Sequence, residues 1–253
     1  MTQTDTSEEE LYRGGKVMSL FGHLNELRVR IVLAAIGIFV VFCGCLFFST
    51  ELLILLKQPL VKALPKETTN SLHFTGPLDV FMISIKVSFL ASIVLASPIW
   101  LYQFWRFVEP ALYPKERRFV LPFFLASLFL FLGGIAFCFG LVLPMGLEFL
   151  ISFGADVGTP IITITDYMSL VVVMIFGFGF IFETPLVLIL LGVLKIVNAK
   201  MLRSVRKHVV VLSLFVAALI TPPDPVSQIA MAIPLYIMYE ISIFVIGLME
   251  KRR

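Results

Sequence analysis

Four apolar runs of this chain are each long enough to cross a lipid bilayer as a helix. They are Ile31–Phe48, Val87–Trp105, Phe119–Leu147 and Tyr167–Leu194, of 18, 19, 29 and 28 residues. A spanning helix needs about 20 mostly apolar residues, and it satisfies its own backbone hydrogen bonds in hydrocarbon. With 59% hydrophobic and 15% charged residues, the chain is too apolar for a soluble globular domain, a disordered chain or a coiled coil. The runs therefore predict an integral membrane protein.

Two further apolar runs, Val209–Ile220 and Pro225–Met249, flank Thr221-Pro222-Pro223 and predict a helical hairpin with a proline-rich tip. A hairpin arm of about 12–15 residues would reach only about 18–22 Å at the helical rise, which is less than the thickness of the hydrocarbon core. We therefore expect an all-α membrane protein with six transmembrane helices, of which the last two are short. The bilayer would thin there, or the hairpin would lean.

Basic residues lie mostly on one side of the predicted spans. Of the 20 Lys and Arg residues, 16 fall in the N-terminal segment, the connections after the second and fourth spans, or the C-terminal tail, and only three fall in the first outer loop. Cytoplasmic loops carry this excess in membrane proteins, so both termini are predicted to be cytoplasmic. Residues 17–249 would form the six-span domain, between a variable cytoplasmic tail (1–16) and a basic cytoplasmic tail (250–253).

Two segments outside the spans have helical patterns. Ser19–Arg30 is amphipathic, with Leu20, Leu24 and Leu27 on one face, and it predicts a short cytoplasmic surface helix that leads into the first span. The stretch Glu51–Leu64 predicts a bent helix on the outer membrane surface.

The sequence carries no catalytic motif that we can identify. It lacks the phosphate-binding glycine-lysine loop, the His-Glu-x-x-His zinc motif and the Gly-x-Ser-x-Gly nucleophile motif. None of the three His residues lies mid-membrane, and the three Cys residues give no disulfide framework. We therefore expect no enzyme, no cofactor and no metal site. Gly177-Phe178-Gly179 lies inside a span and is interpreted as a helix-packing element.

Three polar side chains lie within the apolar spans. Glu183 is near the middle of the fourth span, where a carboxylate must face the bundle interior or a water-filled cavity, be protonated, or find a partner. It could contact a partner helix or a cargo, or it could be hydrogen-bonded within one subunit. Glu240 could likewise be functional, or could form a local pair near the inner interface. Gln228 follows the hairpin tip and could hydrogen-bond across helices.

The connection Phe104–Arg118 combines aromatic, basic and acidic residues with Pro110 and Pro114. Aromatic and Arg side chains at a membrane interface are commonly anchors. That explanation does not account for Glu109 and Glu116, two acids on the side of the membrane where the basic residues lie. Because proline stiffens a loop, this segment is suited to presenting groups in fixed positions.

Four separated blocks resemble the TatC family, the multispanning receptor subunit of the twin-arginine protein translocase. The blocks are Phe21–Arg30, Ser97–Arg118, Phe176–Pro185, and Thr221–Gln228 followed by Ala232-Ile233-Pro234. Together with the predicted topology, the resemblance covers about residues 17–249.

The resemblance implies a function in the bacterial cytoplasmic (inner) membrane. Members of the family bind the twin-arginine signal peptides of folded precursor proteins. They export these proteins with single-span TatA and TatB subunits, driven by the proton-motive force. The implied partners are therefore signal peptides, TatA, TatB and membrane lipid, in a homo-oligomer assembled with TatB and without nucleic acid.

The resemblance also implies residue roles. Glu26 and Glu116 would contact the arginine pair of the signal, because a guanidinium binds a carboxylate through two parallel hydrogen bonds. The surface around them would be shaped by Arg28, Phe107, Pro110, Leu112, Tyr113 and Arg118. Glu109 departs from the family pattern and could add a third acid or face water. Glu183, Gln228 and Glu240 would be intramembrane polar contacts, and Asp224 would belong to the outer hairpin tip.

A different class of function remains open from the residues alone. A small-solute transporter or ion channel could use Glu183 as its coupling carboxylate. The absence of internal repeats and of other charges at the middle of the membrane disfavours it. Solute or ion flux from this chain alone would support it, whereas a translocation receptor needs its partners.

Overall fold

The structure is a computed structural model that describes residues 20–64, 73, 75–112, 120–154, 161–221 and 224–251. Over those ranges the chain is mainly α-helical, with a 3-10 turn at Glu109–Ala111 and a π-helical segment at Cys138–Val142. The predicted all-α class is confirmed. The α-helices are α1 (Leu20–Phe47), α2 (Ser49–Ala63), α3 (Asp79–Leu95), α4 (Ser97–Val108), α5 (Val120–Phe137), α6 (Leu143–Gly154), α7 (Ile164–Ile181), α8 (Thr184–Val193), α9 (Ala199–Ser204), α10 (Arg206–Ile220) and α11 (Pro225–Lys251).

Helix α1 joins the predicted surface segment and the first span in one element of 28 residues. From Leu20 onward, the predicted surface helix that leads into the first span is continuous with that span. No Gly or Pro stands between Asn25 and Ile36 to end the helix. Only 6% of its most apolar window is buried, so most of α1 is available to lipid.

The second predicted span is a bent pair of helices. Helices α3 and α4 meet at Ala96 with a bend of 55°. Pro98 stands in the first turn of α4, the one part of a helix where its missing N–H group removes no hydrogen bond. The bend directs α4 across α1, against which it packs.

The third and fourth predicted spans are each interrupted. Helices α5 and α6 are joined through the π-helical segment, and together Val120–Phe153 runs for 34 residues. Helices α7 and α8 are separated at Phe182 and Glu183, just before Thr184-Pro185, within a span of 30 residues. The fourth predicted span therefore consists of two helices, because Pro185 starts a new first turn.

The predicted hairpin consists of α10 and α11, which have unequal lengths. Helix α10 has 15 residues, as the short fifth span predicts. Helix α11 has 27 residues, with Pro234 in its interior, and its rise of about 40 Å exceeds the hydrocarbon core. The expectation that both final spans are short is therefore wrong for the sixth, since neither Pro234 nor Glu240 ends the helix.

Among the described residues, four helical stretches are long and apolar enough to cross a membrane, and the bent pair α3–α4 would make a fifth. Helix α10 falls below that length. The chain is therefore a multi-span membrane protein by length and composition.

The largest apolar core lies where α3, α5, the π-helical segment and α7 meet. Val87, Cys138, Val171 and Phe178 are fully buried there. Helices α5 and α7 approach closely at Gly134, where an added Cβ would lie 2.7 Å from the backbone oxygen of Phe178. Small residues allow such approaches between membrane helices.

The loops at one end of the bundle are joined by backbone hydrogen bonds. His73 donates its N–H to the Ile162 carbonyl over 3.2 Å, and its own carbonyl accepts from the Ile164 N–H over 2.8 Å. Near this joint, Tyr167 donates its hydroxyl to the Leu56 carbonyl of α2 over 2.7 Å. These bonds tie the loop before α3 and helix α2 to the start of α7.

Candidate functional site

Helices α1 and α4 bring together polar side chains that are far apart in the sequence. Arg30 donates from Nη2 to Oε1 of Glu26 over 3.4 Å and from Nη1 to Oε1 of Gln103 over 3.0 Å. Nearer the start of α1, the rings of His23 and Phe107 stack with their centroids 4.4 Å apart. We call these five residues the α1–α4 surface.

Glu26 is only partly engaged in this surface. Its Oε2 is buried and has no hydrogen-bond partner among the residues that the structure describes, and the same holds for Nε of Arg30. A carboxylate can accept two parallel bonds from one guanidinium, whereas Arg30 supplies one bond that is long for its type. The Glu26 side chain is 17% exposed. Glu26 therefore keeps the capacity to accept a second donor.

The segment after α4 is held by an ion pair and an apolar anchor. Arg106 donates from Nη1 to Oε2 of Glu109 over 2.8 Å, and Glu109 begins the 3-10 turn that contains Pro110. Leu112 is 3% exposed and packs in one cluster with Trp105. Leu112 thus supports the segment from beneath, while Glu109 and Pro110 lie half-exposed at its surface.

The residues predicted to bind a signal peptide are only partly covered by the structure. Glu26 and Phe107 lie on the same surface, and Arg28 is exposed on α1. The predictions for Tyr113, Glu116 and Arg118 fall outside the described residues.

Glu183 lies at the break between α7 and α8. Ser127 of α5 donates its hydroxyl to Oε2 of Glu183 over 2.7 Å. Oε1 of Glu183 is buried and finds no partner within the described ranges. The internal hydrogen bond, one of the two interpretations drawn from the sequence, is therefore present, and one oxygen remains for a further donor.

The two polar residues near the hairpin tip stabilise the hairpin itself. Gln228 donates from Nε2 to the Leu214 carbonyl of α10 over 3.0 Å, so its amide forms a hydrogen bond between the two helices of the hairpin. Asp224 immediately precedes α11, and its Oδ1 accepts the N–H of Ser227 over 2.7 Å. This is the hydrogen bond of a helix N-cap, and it is buried because Asp224 is 2% exposed.

Loss of this cap should destabilise the protein. We expect Asp224→Ala to lower the free energy of unfolding by about 1 kcal/mol, because the first turn of α11 loses an acceptor. Asp224→Asn retains a side-chain oxygen and should remain close to the parent. Thermal unfolding in detergent measures both variants, and an equal loss in the two would contradict the capping role.

Glu240 has both of its carboxylate oxygens engaged. Oε2 accepts from Nη2 of Arg206 over 2.6 Å, and Oε1 accepts from the Tyr236 hydroxyl over 2.9 Å. Arg206 begins α10, so the ion pair joins the two helices of the hairpin. The local-pair interpretation of Glu240 agrees with this geometry.

Sequence reasoning missed the residues that surround these acids. For Arg30 the signal was available, since Glu26 and Arg30 are four residues apart on one helix face. Nothing in the sequence links Gln103 to Arg30 or Ser127 to Glu183, because these contacts depend on how the helices pack. Within the part of the chain that the structure describes, no group of three or more His, Cys, Asp or Glu side chains could hold a metal ion.

Comparison with known proteins agrees with this architecture. The model of the family described as Sec-independent protein translocase protein (TatC) matches residues 22–234. The chain is 39% identical over 231 residues to the TatC protein of Desulforapulum autotrophicum, covering 91% of this chain and 85% of that one. It is 37% identical to the TatC protein of Aquifex aeolicus, covering 93% and 98% of the two chains. For the TatC protein of Escherichia coli the identity is also 37%, covering 89% and 86%.

Two solved structures are similar to the whole fold. One is a crystal structure of the twin arginine translocase receptor TatC; at a TM-score of 0.78 and 37% identity, the match covers 88% of this chain and 97% of that one. The other, of the same receptor in the detergent DDM, matches at a TM-score of 0.80 and 37% identity, covering 88% and 98%. The chain therefore belongs to the TatC family of Sec-independent protein translocase proteins.

Proposed function

We propose that this chain is the receptor and core subunit of a twin-arginine translocase in a bacterial inner membrane. In this role it has six spans with both termini in the cytoplasm, and residues 17–249 form its membrane domain. It binds the twin-arginine signal peptides of folded precursors and exports them with TatA and TatB subunits, driven by the proton-motive force. Family membership supports the role, and the one-sided placement of 16 of the 20 basic residues supports the orientation.

The observation that carries the proposal is that Glu26 already binds an arginine guanidinium. Arg30 lies 3.4 Å from Oε1 of Glu26, while Oε2 is buried without a partner in the described part of the chain. An acid in this state has the shape and charge to receive the planar, always charged guanidinium of a signal peptide. Lys offers only a point charge, which explains why two arginines would be preferred.

Binding would then proceed by exchange of one guanidinium for another. A signal arginine that pairs with Glu26 displaces Arg30, and Arg30 keeps its 3.0 Å bond to Gln103. The exchange limits the cost of leaving a partly buried charge without a partner. Because hydrogen bonds to one partly buried acid contribute only about 1.5–3 kcal/mol, apolar contacts of the signal peptide must add to the affinity.

The remaining signal-site residues have supporting roles in this proposal. Glu116 supplies the second acid for the arginine pair, and Tyr113 and Arg118 shape the surface beside it. Arg28, Phe107 and Pro110 offer exposed or half-exposed groups, while Leu112 fixes the segment from below. Glu109 is a third acid beside the site, and its charge is balanced by Arg106.

The intramembrane acids have different proposed roles. Glu183 retains one oxygen without a partner in the described structure, so it is our candidate for a polar contact with a partner helix. Gln228 and Glu240 act within the hairpin that meets such a helix, and Asp224 fixes its tip. The bond from Ser127 gives Glu183 a partner of its own, which disfavours a solute-coupling role.

Photo-crosslinking tests the receptor role directly. A photoreactive amino acid at the exposed position 25, which leaves Glu26 and Glu116 in place, should crosslink in membranes to a precursor whose signal carries Arg-Arg. The crosslink should be lost when the pair is Lys-Lys, because the forked hydrogen bonds are lost. Equal crosslinking to both precursors would contradict arginine recognition beside this position, and ion or solute flux from the chain alone in liposomes would contradict the receptor role.

A further inference from the structure

The connection between α8 and α10 concentrates positive charge. Residues 195–208 contain five basic side chains and no Asp or Glu. The described acids that reach this connection from α11 are both engaged. Glu240 accepts from Arg206 over 2.6 Å, and Glu250 accepts the N–H of Ala199 over 3.0 Å. The basic side chains are Lys195, Lys200, Arg203, Arg206 and Lys207.

Helix α9, in the middle of this connection, is fixed against α11. Ala199 and Leu202 are 3% and 5% exposed and belong to one apolar cluster with Tyr239. The Tyr239 hydroxyl donates to the Leu202 carbonyl over 2.7 Å, and Asn198 caps the start of α9 through the N–H of Met201. The connection therefore presents its outer side chains from a rigid support.

The outer side of this support carries both charge and exposed apolar surface. Lys200, Arg203 and Lys207 are exposed, and beside them Ile196 and Met201 are 62% and 52% exposed. Helix α8 ends a stretch that is long enough to span a membrane, so the connection that follows it lies at a membrane surface. Exposed apolar side chains among basic ones are typical of segments that sit in the lipid interface.

We infer that residues 195–207 form a binding site for the anionic headgroups of phospholipids in the adjoining leaflet. Lys200, Arg203 and Lys207 bind the phosphate groups, and Ile196 and Met201 insert among the acyl chains. Basic clusters at the ends of spanning helices attract anionic lipids, and each basic residue adds to the affinity. A rigid support favours this binding, because the protein side of the site needs little ordering.

Native mass spectrometry of the purified full chain in detergent tests the site. The probes are phosphatidylglycerol and phosphatidylcholine with identical acyl chains. We expect the triple variant Lys200→Gln/Arg203→Gln/Lys207→Gln to bind phosphatidylglycerol about tenfold more weakly or worse, since three charges are removed. Binding of phosphatidylcholine should not change.

Three controls separate a lipid site from a general effect of charge. The variant Lys200→Arg/Arg203→Lys/Lys207→Arg keeps the charge and should keep the binding. The matched variant Lys62→Gln/Lys66→Gln/Lys86→Gln removes three charges elsewhere and should also keep it. Ile196→Ser/Met201→Ser retains all charges and should weaken binding of phosphatidylglycerol, which gives a second test if the triple variant does not fold.

Several results would overturn the inference. Unchanged phosphatidylglycerol binding in both the charge-removing variant and the Ile196→Ser/Met201→Ser variant would contradict it. An equal loss of phosphatidylglycerol binding in the matched variant with substitutions at positions 62, 66 and 86 would also contradict it. Displacement of the lipid by a polyglutamate peptide or by soluble glycerol phosphate would assign the basic residues to an acidic protein or a free phosphate instead.

Discussion

Glu26→Gln should weaken binding of a signal peptide that carries Arg-Arg by about 10- to 100-fold, the range expected when a hydrogen bond to a charged group is lost. The substitution keeps the size of the side chain but removes the charge that a guanidinium pairs with. Arg30 would then face a neutral amide oxygen in place of the carboxylate, beside its bond to Gln103. Fluorescence titration of a labelled signal peptide against the purified protein measures the change, and export of a twin-arginine precursor in cells should fall with it.

The control for this variant is Glu51→Gln. Glu51 is an exposed acid in the first turn of α2, away from the α1–α4 surface, and its replacement removes the same charge. The affinity of Glu51→Gln for the Arg-Arg signal peptide should equal that of the parent protein. If Glu26→Gln binds the Arg-Arg peptide as tightly as the parent, Glu26 is not a receptor acid. If a Lys-Lys peptide loses as much affinity as the Arg-Arg peptide, the acid does not select for arginine.

Gly134→Ala should cost about 3 kcal/mol of unfolding free energy, the upper end of the usual penalty for overpacking. The new methyl group would lie 2.7 Å from the Phe178 carbonyl oxygen and 2.8 Å from Cγ of Phe182. The carbonyl belongs to the backbone of α7, so the helix itself must move. Chemical or thermal unfolding of the purified protein in detergent measures this loss.

The neighbouring glycine offers a matched control. An added Cβ at Gly133 meets no atom within 4 Å, so Gly133→Ala should be neutral or slightly stabilising. Equal effects of the two substitutions would show that α5 and α7 do not pack at Gly134. Displacement of α7 should also disturb the bond from Ser127 to Glu183, because Glu183 directly follows Phe182 in the sequence.

The positions of the spans could be predicted because the bilayer imposes a simple requirement on length and apolar content. The run Val209–Ile220 likewise predicts a short α10, and the helix has 15 residues. The interpretation of Gly177 and Gly179 as packing residues agrees with the structure, because an added Cβ at either would lie within 3 Å of a neighbouring side chain. These features depend on local composition, which a sequence shows directly.

The remaining features depend on contacts between distant residues or on a balance of local effects. Pro185 ends α7 near Glu183, whereas Pro234 is accommodated inside α11, so proline alone does not predict a break. The partner of Glu183 is a serine 56 positions away, and no periodicity reveals it. The engagement of Glu26 by Arg30 follows helical spacing, but the role of Gln103 requires knowing that α4 crosses α1.

The joint between His73 and the segment Ile162–Ile164 uses only backbone donors and acceptors. Its two hydrogen bonds therefore do not depend on which side chains occupy these positions. Only proline at position 73 or 164 would remove an N–H group that the joint needs. The side chains of these two loops can therefore differ from one sequence to the next while the backbone hydrogen bonds between the loop before α3 and the start of α7 remain.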